Sequence, residues 1–393
     1  MPLLADAAAR WGTGPCELSL ARNVPTSHRR FPFTPLNAPA PVKSRPELLV
    51  GIVTNPEAGH DIRRFFGASV FPTSEKISMV IRVLAGLRVF GVEGVLIMPD
   101  HGGIAAEVLR ALRAHNAASF KHWPEVFVIE QAVERSADDT RRAVRAMLNE
   151  GVRLIVVLGG DGTHRVVASE CGDLPLVTLS TGTNNAFPDF REATTAGIAA
   201  GLCASGKLDI SQVCRRNKRL KVRLGEREEI ALVDVAICLT RYTGSKALWD
   251  SENLAEVFVT FSRSDSLGLS SIPGLLRPTS RDDSEGTVIR FDRNDAKYWL
   301  SAPIAPGLIK QLPIHSIEAL PPGVKFAVTA KCGTIALDGE REIEFTRKEH
   351  PLVWLDREGP LTVDVHKTLE LAANQGLLVS AKSNPDPQQT SIS

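Results

Sequence analysis

The stretch that decides the fold is "LIVVLGGDGTHRVV", residues 154–167. Five aliphatic residues lead into a Gly-Gly-Asp-Gly-Thr loop, and a polar-to-apolar run follows it. Three glycines within four residues disfavour both a strand and a helix, because glycine loses more conformational freedom on folding than any other residue. An apolar strand that runs into such a loop is instead typical of an open α/β sheet, in which ligands bind at the carboxyl ends of the strands.

The composition excludes several classes of protein. The chain of 393 residues predicts two domains, and its net charge of +1 gives no indication of a nucleic-acid partner or of an anionic membrane surface. The six cysteines are scattered without zinc spacing, so we predict no metal centre and reduced thiols. Because no signal peptide and no run of about 18 apolar residues is present, we expect a soluble, cytoplasmic protein with no membrane partner.

The chain changes character along its length. Prolines at positions 25, 32, 35, 39, 41 and 46 predict an extended arm over residues 1–47, either disordered or lying on a partner subunit of a dimer or tetramer. Apolar runs alternating with helical patterns predict an α/β nucleotide-binding domain with an open, mostly parallel sheet over residues 48–188. Short alternating strands predict an antiparallel β-rich domain over residues 189–375, and a flexible tail follows over residues 376–393.

The glycine loop is suited to phosphate binding. Gly159, Gly160 and Gly162 let the backbone approach a phosphate closely and adopt positive φ, while Thr163 and the helix that follows supply donors. Asp161 would be repelled by phosphates unless it takes a proton or meets a cation. A role as general base for an attacking hydroxyl, or as an indirect metal ligand, would explain its position. The alternative is a tight turn in which the aspartate caps the next helix.

Two further polar loops follow apolar strands. "LPLVTLSTGTNNAFP" contains Gly182, Thr183, Asn184 and Asn185 after one strand, and Asn55 follows the first strand in "VGIVTNPEAG". Because the carboxyl ends of parallel strands meet at one edge of a sheet, we expect all three loops to line one crevice.

Two basic residues directly follow the glycine loop. His164 and Arg165 either contact a phosphate or lie solvated on the surface of the helix. The sequence does not separate these alternatives.

These motifs resemble those of a kinase superfamily. "NPEAG" (55–59), "GGDGT" (159–163) and "GTNN" (182–185) form the pattern shared by NAD kinases and the diacylglycerol and sphingosine kinases. The extended segments "GIVTNPEAGHDIRR" and "STGTNNAFP" look closest in sequence to the acetoin-catabolism protein X branch of the ATP-NAD kinase-like family. The resemblance covers residues 48 to about 375. It implies an NAD kinase/diacylglycerol kinase-like fold, ATP and Mg²⁺ as cofactors, NAD as a candidate substrate, and a bacterial source.

The resemblance also assigns roles to individual carboxylates. It makes Asp161 the base, as in NAD kinases, and places Asp234 in the motif that holds the dinucleotide, although Val233 stands where that family has asparagine. Asp338-Gly339-Glu340 matches the late "DGE" of the lipid kinases, in which a carboxylate of this motif is catalytic. We expect the NAD kinase-like arrangement, with Asp161 dominant and Glu340 solvated at a hairpin tip.

The residues support two classes of function. The first is an ATP-dependent phosphotransferase that phosphorylates a hydroxyl of NAD or a related small molecule, with a lipid kinase as a rival within the class. The second is a non-catalytic, regulatory NAD- or ATP-binding protein. The intact "GGDGT" and "DGE" motifs favour the enzyme, whereas Val233 favours the binding protein.

Overall fold

The computed structural model describes residues 46–56, 71–117, 123–182, 185–240 and 253–379. Most of the predicted arm and the tail from residue 380 lie outside these ranges, as do Thr183 and Asn184. Within the described ranges, no helix is long and apolar enough to cross a membrane.

A parallel sheet forms the first half of the chain. Its strands pair in the order β3-β2-β1-β4-β5, so the order of connection reverses between the neighbouring strands β1 and β4. At such a reversal the loops after the two strands leave in opposite directions, and a crevice opens beyond their carboxyl ends. The strands are β1 (Leu49–Thr54), β2 (Gly94–Ile97), β3 (Glu125–Val128), β4 (Ile155–Gly159) and β5 (Leu176–Ser180).

Helices cover both faces of this sheet. Burial on both sides explains why the sequences of the central strands are apolar throughout. Helices α1, α2 and α5 pack on one face, and α3 and α4 pack on the other. A capping box formed by Ser136 and Asp139 begins α3, as its sequence predicts. The helices are α1 (Thr73–Val89), α2 (Ile104–Ala117), α3 (Ala137–Asn149), α4 (Asp161–Ala168) and α5 (Ala193–Ala204).

Two antiparallel sheets form most of the second half. One has the order β12-β13-β11-β10-β9-β15-β16, the other has the order β14-β17-β7-β8, and a shared apolar core lies between them. Helix α7 packs on the outer face of the larger sheet. The elements from α5 onwards are α6 (Ile210–Val213), β6 (Cys214–Arg216), β7 (Arg219–Leu224), β8 (Arg227–Ala231), β9 (Asp234–Cys238), β10 (Leu254–Val259), α7 (Ser271–Leu276), β11 (Gly286–Phe291), β12 (Tyr298–Ala305), β13 (Leu308–Leu320), β14 (Phe326–Ala327), β15 (Gly333–Leu337), β16 (Glu340–Phe345) and β17 (Leu352–Asp356).

The chain then returns to the first sheet. Strand β18 (Leu361–Val363) pairs in parallel with β5 and antiparallel with β6, which extends the order to β3-β2-β1-β4-β5-β18-β6. Helix α8 (Val365–Asn374) follows and packs beside α5. Parts of the predicted second domain, residues 189–375, therefore belong to the first sheet. A three-residue strand carries no periodicity that could show which sheet it joins.

The predicted fold class is confirmed. The chain has an α/β part with an open, mostly parallel sheet and an antiparallel β-rich part of two packed sheets.

Helices α1 and α5 approach each other backbone to backbone at two glycines. A Cβ on Gly197 would lie 2.4 Å from the carbonyl oxygen of Val83, and one on Gly86 would lie 2.4 Å from the amide nitrogen of Ile198. Both distances are far below van der Waals contact, so the helices can pack this closely only because the two side chains are missing.

The first prediction concerns this contact. Gly197→Ala should lower the free energy of unfolding by about 1–3 kcal/mol, because the new methyl group overpacks against backbone that cannot move aside. Gly201→Ala is the matched control in the same helix, since its Cβ would meet mainly the Phe90 side chain, at 3.1 Å. Urea denaturation measures both variants. Equal stabilities for the two variants would contradict the proposed backbone contact.

Candidate functional site

The glycine loop connects β4 to α4. Gly160 is the N-cap residue of α4, with φ −96° and ψ −174°. Gly159 and Gly162, like Gly160, are absent from the described residues with positive φ, so the expectation of left-handed backbone in this loop is wrong.

In this loop, neighbouring groups occupy the space that side chains would need. A Cβ on Gly159 would lie 2.6 Å from the Thr163 Cβ, and one on Gly160 would lie 2.9 Å from Asn185 Oδ1. A Cβ on Gly162 would lie 3.3 Å from Glu340 Oε1. The three glycines thus let three different partners approach the first turn of α4.

The three predicted polar loops do meet at this place. Asn55 Nδ2 donates to Thr163 Oγ1 at 2.9 Å, which joins the end of β1 to the first turn of α4 across the reversal in strand order. Asn185 Nδ2 donates to Ser180 Oγ at 2.8 Å and to the carbonyl oxygen of Gly182 at 3.2 Å. The same side chain faces Gly160. Thr183 and Asn184 belong to this loop but lie outside the described residues.

Asp161 organises the neighbouring turn. Its Oδ1 accepts the backbone N–H of Phe187 at 2.8 Å, and its Oδ2 accepts that of Ala186 at 3.0 Å. The contact is a form of capping, but it serves the turn after β5 rather than α4, the helix that Asp161 itself begins. Both carboxylate oxygens are therefore engaged in holding backbone.

Asp338 has a similar role in the second half of the chain. Its side chain is fully buried, and it accepts the N–H groups of Leu232 and Val233 at 3.0 and 2.7 Å. Its Oδ2 lies 3.7 Å from the Nε of Arg165, which is also buried. Burial raises the pKa of Asp338 to about 7, and the Arg165 charge and the two N–H groups act in the opposite direction. This carboxyl group ties the turn between β15 and β16 both to the start of β9 and to α4.

The contacts of Asp338 place Glu340 beside the glycine loop. Asp338 begins the β15–β16 turn with φ 50°, Gly339 follows with φ 82°, and Glu340 then lies next to Gly162 with its side chain exposed. The turn is therefore not the free hairpin tip that the sequence led us to expect. The positive end of the α4 dipole favours a carboxylate at this position.

The segment expected to hold a dinucleotide is buried. Val233 is 1% exposed and packs in an apolar cluster with Phe187, Leu232 and Phe261. Asp234 is also buried, and its backbone carbonyl accepts the N–H of Asp338 at 2.9 Å. The structure therefore supports a packing role for Val233, in the apolar cluster that includes Phe187.

The two basic residues after the loop are buried, so they are not solvated and do not present a positive charge to a phosphate. Arg165 pairs with Asp338, and His164 is fully buried with its Nδ1 2.8 Å from the carbonyl oxygen of Gly160. Burial lowers the pKa of His164 to about 4, so the imidazole is neutral at physiological pH. The ring therefore contacts the backbone of the loop at Gly160 and packs near Phe187.

Sequence reasoning missed two further residues. Lys76 is 1% exposed, and its Nζ donates to the carbonyl oxygen of Pro56 at 2.7 Å, which holds the turn after β1. Arg281 donates to the carbonyl oxygens of Ala186 and Phe187 at 2.7 and 2.5 Å, on the same turn whose N–H groups Asp161 binds. No motif surrounds either residue, so only their positions in the fold could identify them.

Comparisons with known proteins agree with this architecture. Residues 50–207 match the model of the ATP-NAD kinase N-terminal domain, and residues 218–358 match that of the acetoin catabolism protein X C-terminal domain. The acetoin catabolism protein X of Cupriavidus necator is 39% identical over 346 residues, which cover 86% of this chain and 95% of that protein. The chain belongs to the acetoin catabolism protein X family.

A solved structure with limited similarity to this chain was also found. A putative diacylglycerol kinase from Bacillus anthracis covers 83% of this chain and 98% of its own, at 12% identity and a TM-score of 0.39.

The second prediction follows from the buried imidazole of His164. In the unfolded chain a histidine takes up a proton near pH 6.5, whereas in the folded protein it does so only near pH 4. As pH falls from about 6.5 to 4, the unfolded state binds more protons, so this residue's contribution to stability is lost.

His164→Asn should remove that dependence. The difference in unfolding free energy between wild type and variant should change by about 1.4 kcal/mol per pH unit between pH 6.5 and 4, and stay constant above pH 7.5. Denaturant titrations at each pH measure it, with the values above pH 7.5 as the internal reference. A constant difference across the whole range would contradict a buried neutral histidine.

Proposed function

We propose that this chain is an ATP-dependent phosphotransferase that phosphorylates a hydroxyl group of NAD or of a related small molecule. The observation that carries the proposal is the position of Glu340, an exposed carboxylate beside Gly162 in the first turn of α4. The loop lies where β1 and β4 open a crevice, the usual ligand site of such sheets. Phosphoryl transfer asks the protein mainly for positioning and for charge stabilisation.

In this proposal each group has one task. The start of α4 receives the ATP phosphates, because unpaired N–H groups and the helix dipole favour anions there. Glu340 accepts the proton of the attacking hydroxyl group. Asp161 holds the turn at Ala186 and Phe187 and so shapes the wall of the site. The role of base thus passes from Asp161, where the resemblance puts it, to Glu340.

The residues also fit the Mg²⁺ ion that the ATP-NAD kinase-like family implies. Among the described residues, no group of three or more His, Cys, Asp or Glu side chains could hold a metal by itself. Mg²⁺ usually keeps several waters and is bound largely through the substrate phosphates, so an ion that enters with ATP needs no all-protein cage at this loop. The ion would neutralise charge on the phosphate oxygens.

A non-catalytic NAD- or ATP-binding protein is the second candidate. Val233 favours it, because a buried valine cannot make the contacts of the asparagine that NAD kinases have at this position. Nucleotide binding without turnover would support this candidate against the kinase.

The third prediction tests the base. With ATP and Mg²⁺, we expect release of ADP to depend on an added acceptor, from a panel of NAD, small polar alcohols and a diacylglycerol in micelles. Glu340→Gln should lower kcat by roughly 10²–10⁴-fold with little change in ATP affinity, because the amide cannot accept the proton.

Two variants complete this experiment. Glu344→Gln, an exposed residue of the same strand, is the matched control and should keep wild-type turnover. Asp161→Asn should weaken ATP binding and lower the melting temperature, since its amide group would face the N–H donors of the turn. Full turnover by Glu340→Gln would refute the assignment of the base.

The fourth prediction tests the phosphate site. Gly160→Val should weaken ATP binding by roughly tenfold or more, because its side chain would displace Asn185 and fill the mouth of the loop. Calorimetry measures the affinity, and circular dichroism shows whether the variant is folded. A folded variant that binds ATP as tightly as wild type would show that phosphates do not lie on this loop.

A further inference from the structure

A polar cleft of about 780 Å³ is lined in part by Arg281, which binds the turn that Asp161 holds. Residues of β5, β6 and β18 line it, together with residues 261–265, 278–281 and 283. Among the described residues that line it, none belongs to the glycine loop, and Glu340 is not one of them. Its volume lies in the range of small-molecule sites, roughly 300–1,000 Å³. We name it the arginine cleft, after Arg191, Arg215, Arg263 and Arg281.

Most of the positive charge in the arginine cleft is neutralised within the protein. Three of the four guanidinium groups form ion pairs with aspartates that also line the cleft. The pairs are Arg191 with Asp189 at 3.0 Å, Arg215 with Asp364 at 3.4 Å, and Arg263 with Asp265 at 2.6 Å.

Arg281 differs from the other three. Within the described part of the chain, it has no ion pair with a carboxylate, and its hydrogen bonds go to two backbone carbonyls. Its guanidinium lies over the rings of Phe187 and Phe261, at 5.0 and 4.2 Å from their centroids. Burial lowers its pKa to about 10, so it remains charged at neutral pH. Asp189 and Asp161 act on this charge without forming an ion pair with it, so the guanidinium can still pair with an anion that enters the cleft.

We propose that the arginine cleft binds a small polyhydroxy anion, whose phosphate or carboxylate group pairs with Arg281. Guanidinium groups recognise both kinds of anion through paired N–H donors. The hydroxyl side chains of Thr178, Ser264 and Ser280 line the remainder of the cleft and suit a hydroxylated body. The charge balance of the other arginines disfavours a polyanion such as a nucleic acid.

The position of Arg281 links this site to the glycine loop. Arg281 binds the carbonyl groups of Ala186 and Phe187, and Asp161 binds the N–H groups of the same two residues. An anion that pairs with Arg281 competes with those carbonyl groups for its N–H donors. The turn that Asp161 also binds would then lose part of what holds it in place. Any effect of the anion on phosphotransfer rests on the proposed function, whereas binding of the anion in the cleft does not.

The fifth prediction is tested with three matched probes at constant ionic strength. Glycerol 3-phosphate and glycerate should bind to the full chain in calorimetry, and glycerol should not. Arg281→Gln should weaken binding of both anions by roughly tenfold or more, the effect of losing a charge-assisted contact. Arg263→Gln, which removes an arginine already paired with Asp265, should change it by less than about twofold.

Two further variants separate this site from the phosphate site of the loop. Ser264→Trp, at an exposed position, should block the cleft without touching Arg281, so the proposal does not depend on the folding of Arg281→Gln. Gly160→Val should bind the probes as wild type does while losing ATP. The proposal is overturned if neither anion binds, if Ser264→Trp binds them fully, or if Gly160→Val abolishes their binding.

Discussion

The buried carboxyl group of Asp338 is the contact on which the geometry of the site depends. It accepts the N–H groups at the start of β9 and faces the guanidinium of Arg165 on α4, so one side chain joins the antiparallel sheet to the helix that follows the glycine loop. Removing either partner of a buried pair leaves an uncompensated polar group, which is strongly destabilising. Because this contact fixes the β15–β16 turn, it also fixes Glu340 beside Gly162.

Close approach, rather than unusual backbone conformation, explains the glycines of the loop. The missing side chains make room for Thr163, Asn185 and Glu340, which come from three separate segments of the chain. The hydrogen bond from Asn55 to Thr163 spans the reversal of strand order, where open α/β sheets form their binding crevices. Polar groups far apart in sequence are thereby gathered around one helix terminus.

The turn at Ala186 and Phe187 contacts residues of both proposed ligand sites. Asp161 accepts the N–H groups of these two residues, and Arg281 donates to their carbonyl groups. The return of β18 to the edge of β5 completes the wall of the arginine cleft. A change at either site therefore has a short path, through one piece of backbone, to the other.

The sequence by itself determined the fold class and the meeting of three loops, because apolar strands followed by polar loops are local patterns that a parallel sheet gathers at one edge. It also contained the glycine loop and the "DGE" motif on which the resemblance to the kinase superfamily rests. Only the tertiary structure decided the roles of the charged residues: Asp161 became a turn anchor, Arg165 and Asp338 a buried pair, and Glu340 a neighbour of the loop. The Arg165–Asp338 and Gly162–Glu340 contacts join segments more than 100 residues apart, and Asp161 reaches a turn 25 and 26 residues further along the chain. The environment that sets the chemistry of a carboxylate therefore cannot be read from its neighbours in sequence.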